Sequence, residues 1–257
     1  MSRYEAMFRR SGNAGVFGGF VMLGDPDLET CASILDQLVE GGADMIEVGI
    51  PFSDPIADGP VIQAAAVRAL GNGTTPADCF ALLKAFRARH PDVPVGILTY
   101  ANLVLARGRD DFYARAAEAG VDSVLVADVP VLEAAPYAEA ARAHGVAPVL
   151  IAAANTPPGR LREIARLGGG YTYCVARAGV TGTDEAARFD HAVMLGVLRA
   201  GGAPPPVFGF GISRPEQVRA ALEAGAAGAI SGSAIVERVA RGESVSPFVR
   251  EMKAATL

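Results

Sequence analysis

EGGADMIEV, at residues 40–48, recurs in altered form at two later places in the chain. EAGVDSVLV occupies residues 118–126 and EAGAAGAIS occupies residues 223–231. Each copy combines a glutamate, a glycine and an apolar run. Glycine readily takes the left-handed backbone conformation that ends a helix, so each copy predicts a helix that turns directly into a strand. Such recurrence indicates a fold built from stacked strand–helix units.

The same alternation extends over the whole chain. Apolar runs rich in β-branched residues alternate with stretches rich in Ala, Leu, Arg and Glu, which predicts strands and helices in turn. We predict strands near residues 16–22, 45–50, 94–99, 122–127, 147–152, 171–176, 206–210 and 227–231. We predict helices near 28–40, 60–69, 76–89, 110–118, 133–143, 158–167, 189–199 and 214–223, another from Ser233, and a last one near 246–255.

This order of elements predicts the fold class. Eight strands alternating with helices in about 250 residues are typical of a (β/α)8 barrel. We therefore predict an α/β protein, a single (β/α)8 TIM barrel with additional helices, forming one domain over residues 1–257. The alternative is a doubly wound open sheet, and the lack of a glycine-rich nucleotide-binding fingerprint after the first strand argues against it.

Composition narrows the classes of partner and location. Hydrophobic residues make up 51% of the chain and charged residues 20%, with a net charge of −5. These values favour a folded core and leave no basic face for nucleic acid. No apolar run approaches the roughly 18 residues of a membrane-spanning helix, so we expect no membrane partner. The cysteines, Cys31, Cys79 and Cys174, match neither a disulfide framework nor a zinc site, which indicates a reducing, cytoplasmic location.

The strand of the first copy continues into MIEVGIPFSDPIADGP, residues 45–60, which contains three acids. Glu47 lies within the strand, and Asp54 and Asp58 lie in the loop after it. A carboxylate in a buried strand is costly unless it is paired, protonated or functional. Because TIM barrels carry their chemistry at the carboxyl ends of the strands, we predict that these acids belong to an active site. The alternatives are a structural ion pair for Glu47, a turn-forming role for Asp58 and a bracing role for Asp54.

Glycines and hydroxyls follow the last three predicted strands. RAGVTGT (177–183), FGFGIS (208–213) and ISGSAI (230–235) place them at the mouth of the barrel. The last of these opens a helix, whose free backbone N–H groups and positive dipole end can hold a phosphate. We predict a phosphate site here, with tight helix–strand turns as the alternative. Six apolar residues at the mouth would accommodate an aromatic group or form ordinary core: Phe20, Ile62, Leu98, Leu125, Phe210 and Ile230.

Other catalytic chemistries lack their residues. Lys84 lies in a predicted helix and Lys253 near the carboxyl terminus, so neither supplies a Schiff base at a strand end. The three histidines, His90, His144 and His191, occupy helix edges or loops without ligand partners, which argues against a metal site and against a Ser-His-Asp triad. Carboxylate acid–base chemistry on a phosphorylated substrate remains.

Several long motifs are similar to one known family. They are FVMLGDP (20–26), GADMIEVGIPFSDPIADGPVIQ (42–63), YANLV (100–104), GVDSVLVADVP (120–130), YTYCVARAGVTG (171–182), GFGISRPEQV (209–218) and GAISGSAIV (228–236). Together they span nearly the whole chain, and the second is long and highly specific. The sequence resembles the alpha subunit of tryptophan synthase.

The resemblance implies an activity and a partner. It implies a barrel that acts as a carbon–carbon lyase and cleaves indole-3-glycerol phosphate to indole and glyceraldehyde 3-phosphate. It also implies a beta subunit, in an α2β2 complex, that carries pyridoxal phosphate and joins the indole to serine. The alpha chain itself is expected to carry no cofactor and no metal.

The resemblance also implies roles for individual residues. Glu47 matches the catalytic glutamate, Asp58 the catalytic aspartate and Tyr173 a supporting tyrosine, while Asp54 falls in the loop that contacts the beta subunit. Residues 177–188 match a mobile lid, in which Thr181 helps to position Asp58. Together with the six apolar mouth residues, we expect substrate or phosphate contacts from Tyr100, Thr181, Gly182, Gly211, Gly232 and Ser233.

Three departures from the family pattern concern the shape of the pocket. Gly19 stands where proline is usual, Met22 replaces a small or hydroxyl residue, and residues 151–160 lack prolines often found after the fifth strand. Three other functions stay open: another phosphosugar barrel enzyme, for which Asp128 would be the second acid; a non-catalytic barrel that regulates a beta subunit; and a stand-alone lyase that releases free indole.

Overall fold

The structure is a computed structural model and describes residues 1–175 and 191–257. Within these residues, nine parallel strands form one sheet. The strands are β1 (Val16–Met22), β2 (Met45–Gly49), β3 (Val95–Thr99), β4 (Ser123–Val126), β5 (Ala147–Pro148), β6 (Leu150–Ala153), β7 (Thr172–Val175), β8 (Pro206–Gly209) and β9 (Gly228–Ser231). Their order in the sheet is β5-β4-β3-β2-β1-β9-β8-β7-β6.

The sheet closes into a barrel through one short run of chain. Its two outermost strands, β5 and β6, are separated only by Val149, and they pair with β4 on one side and β7 on the other. Pro148 has no backbone N–H to donate to a ladder, which explains why the fifth predicted strand is divided. The predicted (β/α)8 barrel is thus confirmed, and the open sheet is wrong. A single domain over residues 1–257 stays a prediction.

Twelve α-helices lie within the described residues, and none of them is long and apolar enough to cross a membrane. They are α1 (Arg3–Ser11), α2 (Leu28–Glu40), α3 (Pro60–Gly71), α4 (Pro76–Arg89), α5 (Ala101–Leu105), α6 (Arg109–Glu118), α7 (Ala135–Ala143), α8 (Pro158–Leu167), α9 (Ala192–Ala200), α10 (Pro215–Glu223), α11 (Ser233–Ala240) and α12 (Ser246–Ala254). Helices α1 and α5 were not predicted from the sequence pattern.

The recurring glycine–strand unit has the predicted backbone conformation. Gly42, Gly120 and Gly225 each follow a helix with a positive φ, between 78° and 99°. In the first two copies an aspartate lies two residues after this glycine, directly before the strand. Asp44 accepts the backbone N–H of Phe17 and Asp122 accepts that of Val95, at 2.7 and 2.8 Å. Each aspartate therefore holds the start of the neighbouring strand.

Strand register determines which side chains enter the barrel. Successive residues of a strand face opposite sides of the sheet, so Ile46 and Val48 pack among the residues that contact the outer helices. Glu47 faces the other way, into the barrel, and lies beside Phe20 of β1 and Gly96 of β3 in the sheet. A carboxyl group is thereby placed in the interior.

Helix α1 packs against the amino-terminal end of the barrel. Its side chains Tyr4 and Met7 are buried in the same cluster as the barrel interior. The hydroxyl of Tyr4 is 2.8 Å from Oγ of Ser123 in β4, and Arg3 forms an ion pair with Asp122 at 2.9 Å. The helix shields the interior from solvent on the side opposite the mouth.

Candidate active site

Glu47 is a buried acid that accepts a hydrogen bond from a tyrosine. It is 1% exposed, and the hydroxyl of Tyr171 donates to its Oε1 at 2.5 Å. Burial raises the pKa of Glu47 to about 7, a rise that the hydrogen bond from Tyr171 opposes and the negative charge of Asp58 increases. Within the described residues no hydrogen bond holds its second oxygen, Oε2. A carboxyl with this pKa can both donate and accept a proton near neutral pH.

A group of hydroxyls beside Glu47 depends on a missing side chain. Gly96 is the register neighbour of Glu47, and a Cβ on it would lie 2.7 Å from Oγ of Ser123 and 3.1 Å from the hydroxyl of Tyr4. The hydroxyl of Tyr171 would be 3.7 Å away. Glycine at this position therefore makes room for three hydroxyls next to the carboxyl.

Tyr171 is a site residue that was not predicted from the sequence. The signal was present, since Tyr171 and Tyr173 in the YTY motif are two residues apart and so face the same side of the chain. Their ring centroids lie 6.5 Å apart, and the ring of Tyr171 lies 5.5 Å from that of Tyr4. Of the two tyrosines, only Tyr173 was predicted as a site residue from the sequence.

Asp58 lies in the loop after β2 and is 9% exposed. The hydroxyl of Tyr100 donates to its Oδ2 at 2.8 Å, and Nε2 of Gln63 donates to its backbone carbonyl at 2.7 Å. Burial raises the pKa of Asp58 from its ordinary value, and the hydrogen bond from Tyr100 opposes that rise. Tyr100, which we predicted as a substrate contact, thus orients the second acid.

Tyr173 is buried close to both acids. Burial raises the pKa of its hydroxyl, and the negative charges of Glu47 and Asp58 raise it further. Its ring meets that of Phe210 edge-on, with centroids 5.9 Å apart. Its hydroxyl occupies the space over Gly209, where any side chain would collide with it. The tyrosine stays a neutral hydroxyl at neutral pH.

The six apolar residues predicted for the mouth lie in one cluster inside the barrel. Phe20, Ile62, Leu98, Leu125 and Ile230 are buried members of it, and Phe210 packs against it. Tyr171 and Tyr173 belong to the same cluster. The apolar wall and the two acids therefore face one space, although contact with a substrate stays a prediction.

The glycine turns after β8 and β9 meet at the mouth. Gly211 has a positive φ of 82°, and Oγ of Ser231 donates to the carbonyl of Ile212 at 2.6 Å, which holds the two turns together. Gly232 precedes α11 and Ser233 begins it, with no side chain capping the helix. The first backbone N–H groups of α11 can donate hydrogen bonds to an anion. Thr181, Gly182 and the predicted lid at 177–188 lie outside the described residues.

Asp54 lies apart from the two buried acids. It is exposed, and the hydroxyl of Ser53 donates to its Oδ2 at 2.5 Å. Asp128, the second acid of the alternative phosphosugar enzyme, accepts the backbone N–H of Ala101 at 2.8 Å and so braces the start of α5. The structure separates the three acids of the first motif into two that are buried and one that faces solvent.

These features define a class of protein: a (β/α)8 barrel with two buried carboxyls, an apolar interior cluster and, at the same mouth, a helix start that no described side chain caps. The chain belongs to the tryptophan synthase alpha chain family, whose sequence profile matches residues 8–255.

Individual relatives agree with this assignment. The chain is 54% identical to the tryptophan synthase alpha chain of Cronobacter sakazakii, with 100% of this chain and 99% of that one aligned. It is 53% identical to the alpha chain of Shewanella oneidensis, over 99% of this chain and 95% of that one.

Solved structures of the family have the same fold. A structure of Mycobacterium tuberculosis tryptophan synthase superimposes with a TM-score of 0.89 at 29% identity, covering 99% of this chain and 98% of that one. The tryptophan synthase subunit alpha of Legionella pneumophila gives a TM-score of 0.88 at 28% identity, covering 100% and 98%.

Proposed function

We propose that the protein cleaves indole-3-glycerol phosphate to indole and glyceraldehyde 3-phosphate by a retro-aldol reaction, as a carbon–carbon lyase. The observation that carries the proposal is the pairing of Glu47, whose pKa is raised to about 7, with a second buried acid, Asp58, close enough for its negative charge to contribute to that rise. Membership of the tryptophan synthase alpha chain family supports the choice of substrate.

Glu47 moves the protons in this mechanism. Cleavage requires a proton at C3 of the indole ring, so that the ring can take the electrons of the bond that breaks. As the glycerol hydroxyl loses its proton, the bond to the ring carbon breaks and an aldehyde forms. Glu47 delivers the first proton and accepts the second, since its pKa near neutrality suits both transfers. Its Oε2, free of hydrogen bonds within the described residues, is the oxygen that faces the substrate.

Asp58 stabilises the charge that develops on the ring. Protonation at C3 makes the indole nitrogen electron-poor, and a carboxylate that accepts its N–H stabilises this state. Tyr100 holds Oδ2 of Asp58, which leaves Oδ1 for the substrate. Because the group is buried, the interaction is stronger than it would be in water.

The turns around Gly211 and Gly232 orient the substrate. The uncapped start of α11 binds the phosphate through backbone N–H groups, with help from the hydroxyl of Ser233. Fixing the phosphate at one end of the cavity and the ring at the other brings C3 to Glu47, which converts binding energy into orientation.

A beta subunit is proposed as the partner, in an α2β2 complex. Three exposed apolar side chains, which we call the rim patch, follow three neighbouring strands: Ile56 after β2, Leu105 after β3 and Leu132 after β4, with exposed fractions of 77%, 46% and 61%. Asp54 lies two residues before Ile56. An apolar patch beside a charge suits a protein interface.

Pyridoxal phosphate is assigned to the partner. In this chain Lys84 is exposed on α4, and Nζ of Lys253 is held by Asp44 at 2.7 Å at the end of the barrel opposite the mouth. Neither lysine can form a Schiff base in the cavity. We also propose a cytoplasmic location, because the three cysteines are buried free thiols, which suits a reducing compartment.

The test is an indole assay with indole-3-glycerol phosphate, with and without a beta subunit. Wild type should form indole and respond to the partner, whereas Glu47→Gln should lose cleavage while still binding the substrate. Glu163→Gln, which removes a surface carboxyl paired with Arg166 on α8, is the matched control and should be active. Wild-type turnover in Glu47→Gln would exclude this mechanism. Fast cleavage without the partner would favour the stand-alone lyase, and no cleavage in either case would favour the regulatory barrel.

A further inference from the structure

A notch in the barrel wall lies on the mouth side of Glu47. Gly49 is two residues further along β2 and faces the same interior space. In the sheet it lies between Met22 of β1 and Leu98 of β3. Since Gly49 has no side chain, the wall at this level is open unless a neighbour fills it.

The thioether of Met22 fills this notch. Its Sδ and Cε both lie 2.9 Å from the position that a Cβ on Gly49 would occupy, and Cζ of Phe20 lies 3.0 Å from it. Met22 is 3% exposed and belongs to the interior cluster that includes Phe20, Leu98 and Tyr173. The end of its side chain therefore lies against the barrel interior at Gly49, the next residue of β2 that faces the same side as the catalytic carboxyl.

We propose that Met22 is a specificity-determining residue, whose thioether sets how large an aromatic ring the cavity accepts beside Glu47. This inference rests on the proposed function, because it takes the ring of the substrate to lie in this cavity. A shorter side chain would uncover the notch at Gly49 and admit a ring that carries an extra substituent. Methionine is unbranched and flexible, and its side chain fills irregular space in a core. Shortening it removes packed volume without removing a side-chain hydrogen bond.

The experiment compares indole-3-glycerol phosphate with its four ring-methyl derivatives, substituted at C4, C5, C6 or C7. For each substrate, kcat/KM is measured for wild type and Met22→Ala. A methyl group in an apolar pocket changes kcat/KM by about 10–200-fold. We expect the kcat/KM of at least one derivative, relative to the parent, to rise about tenfold in Met22→Ala. Relative values within twofold of wild type for all four derivatives would overturn the inference.

Two further variants separate specificity from loss of packing. Met252→Ala removes an equally buried methionine from α12, in the cluster outside the barrel, and should leave the substrate ratios unchanged. Met22→Leu keeps most of the volume and should retain the wild-type ratios. If Met22→Ala fails to fold, Gly49→Ala tests the same contact, because its Cβ would push the thioether inward. It should lower kcat/KM for methylated substrates more than for the parent, and equal losses would contradict the inference.

A binding measurement distinguishes this inference from the proposed function. The phosphate ester of 3-(3-hydroxypropyl)indole lacks the hydroxyl that cleavage requires, so its dissociation constant reports only on fit. Its ring-methyl derivatives should gain affinity in Met22→Ala relative to the unsubstituted ester. If wild type binds the ester but forms no indole from the substrate, the proposed function is wrong while the role of Met22 is still measured.

Discussion

At the scale of single residues, the site buries a carboxyl group whose hydrogen bonds within the described residues only partly replace the water that it loses. Among the residues that the structure describes, Glu47 receives one hydrogen bond, from Tyr171, although an ionised carboxylate in the interior needs several to offset the loss of water. The result is an acid whose pKa is about 7 rather than 4.5. At neutral pH this buried carboxyl lowers the stability of the fold, but it is able to exchange protons at that pH.

The first prediction concerns the pH dependence of that cost. Folding raises the pKa of Glu47, so the folded protein keeps a proton that the unfolded chain releases. Its contribution to stability is fully present below pH 4.5 and is lost as the pH rises through about 7. Relative to Glu47→Gln, the free energy of unfolding of wild type should fall by about 3 kcal/mol between about pH 4 and pH 8. Urea denaturation at several pH values measures it, and a constant difference between the two proteins would contradict it.

The second prediction concerns the backbone of Phe210, which has a positive φ of 60°. A non-glycine residue in this conformation costs about 1–2 kcal/mol. Phe210→Gly and Phe210→Ala both remove the ring, but only the glycine relieves the backbone. Phe210→Gly should therefore be about 1 kcal/mol more stable than Phe210→Ala in thermal or chemical denaturation. Greater stability of the alanine variant would show that the backbone is not strained.

At the scale of elements, α3 links the site to a buried ion pair. The helix begins directly after Asp58 and Gly59, and near its other end Arg68 donates two hydrogen bonds to Asp25, at 2.7 and 2.8 Å. Asp25 is 2% exposed and lies in the loop after β1. One helix thus joins the loop that carries an acid to the loop of the neighbouring strand.

The third prediction follows from the burial of Asp25. Arg68→Met leaves the charge of Asp25 without this partner. Removing one member of a buried ion pair costs about 3–5 kcal/mol of stability. Because Arg68 itself is one-third exposed, we expect the lower end, about 3 kcal/mol, in urea denaturation. The control is Arg241→Met, which breaks an exposed pair with Glu243 and should change stability little. Similar losses in both variants would contradict the prediction.

Helices α5 and α1, which were not predicted from the sequence, escaped prediction for different reasons. Helix α5 spans only Ala101–Leu105, too short for a 3.6-residue period to show. Helix α1 has clear end signals, since Ser2 and Glu5 form a capping box. Only two of its residues, Tyr4 and Met7, are buried, and the side-chain hydrogen bond of Tyr4 goes to a residue more than a hundred positions away, Ser123.

At the scale of the whole molecule, barrel closure brings remote residues into one cavity. Tyr171 and Glu47 are 124 positions apart in the chain, and Tyr100 and Asp58 are 42 apart. The rim patch likewise comes from three separate segments of the chain, which the order of β2, β3 and β4 in the sheet brings to the same end of the barrel. The candidate active site and the proposed interface therefore both lie at the mouth of the barrel.

The fourth prediction tests the rim patch. Ile56→Asp places a charge on the most exposed side chain of the rim patch, so the affinity for a beta subunit should fall at least tenfold, corresponding to about 1.4 kcal/mol. Thermal stability should be unchanged, because Ile56 is exposed. Val193→Asp changes an equally exposed side chain on α9, beyond β7, and should bind normally. Calorimetric titration with a beta subunit measures the affinity of both variants. Equal affinities of Ile56→Asp and Val193→Asp would exclude the rim patch as the interface.

Local pattern in the sequence determined the barrel and half of its site. The period of apolar residues and the glycines before the strands predicted each strand, and the order of strands placed Glu47, Asp58 and the glycine turns at one mouth. These features depend on the residues' own conformational preferences, so they can be read locally.

Only the tertiary structure decided what surrounds those residues. That Tyr171 holds Glu47, that Tyr100 holds Asp58 and that Met22 fills the notch at Gly49 depend on strand register and on closure of the sheet. These contacts join segments distant in the chain, and no local preference encodes which of them meet. The pKa of Glu47 depends on the same packing, because burial rather than sequence neighbours raises it.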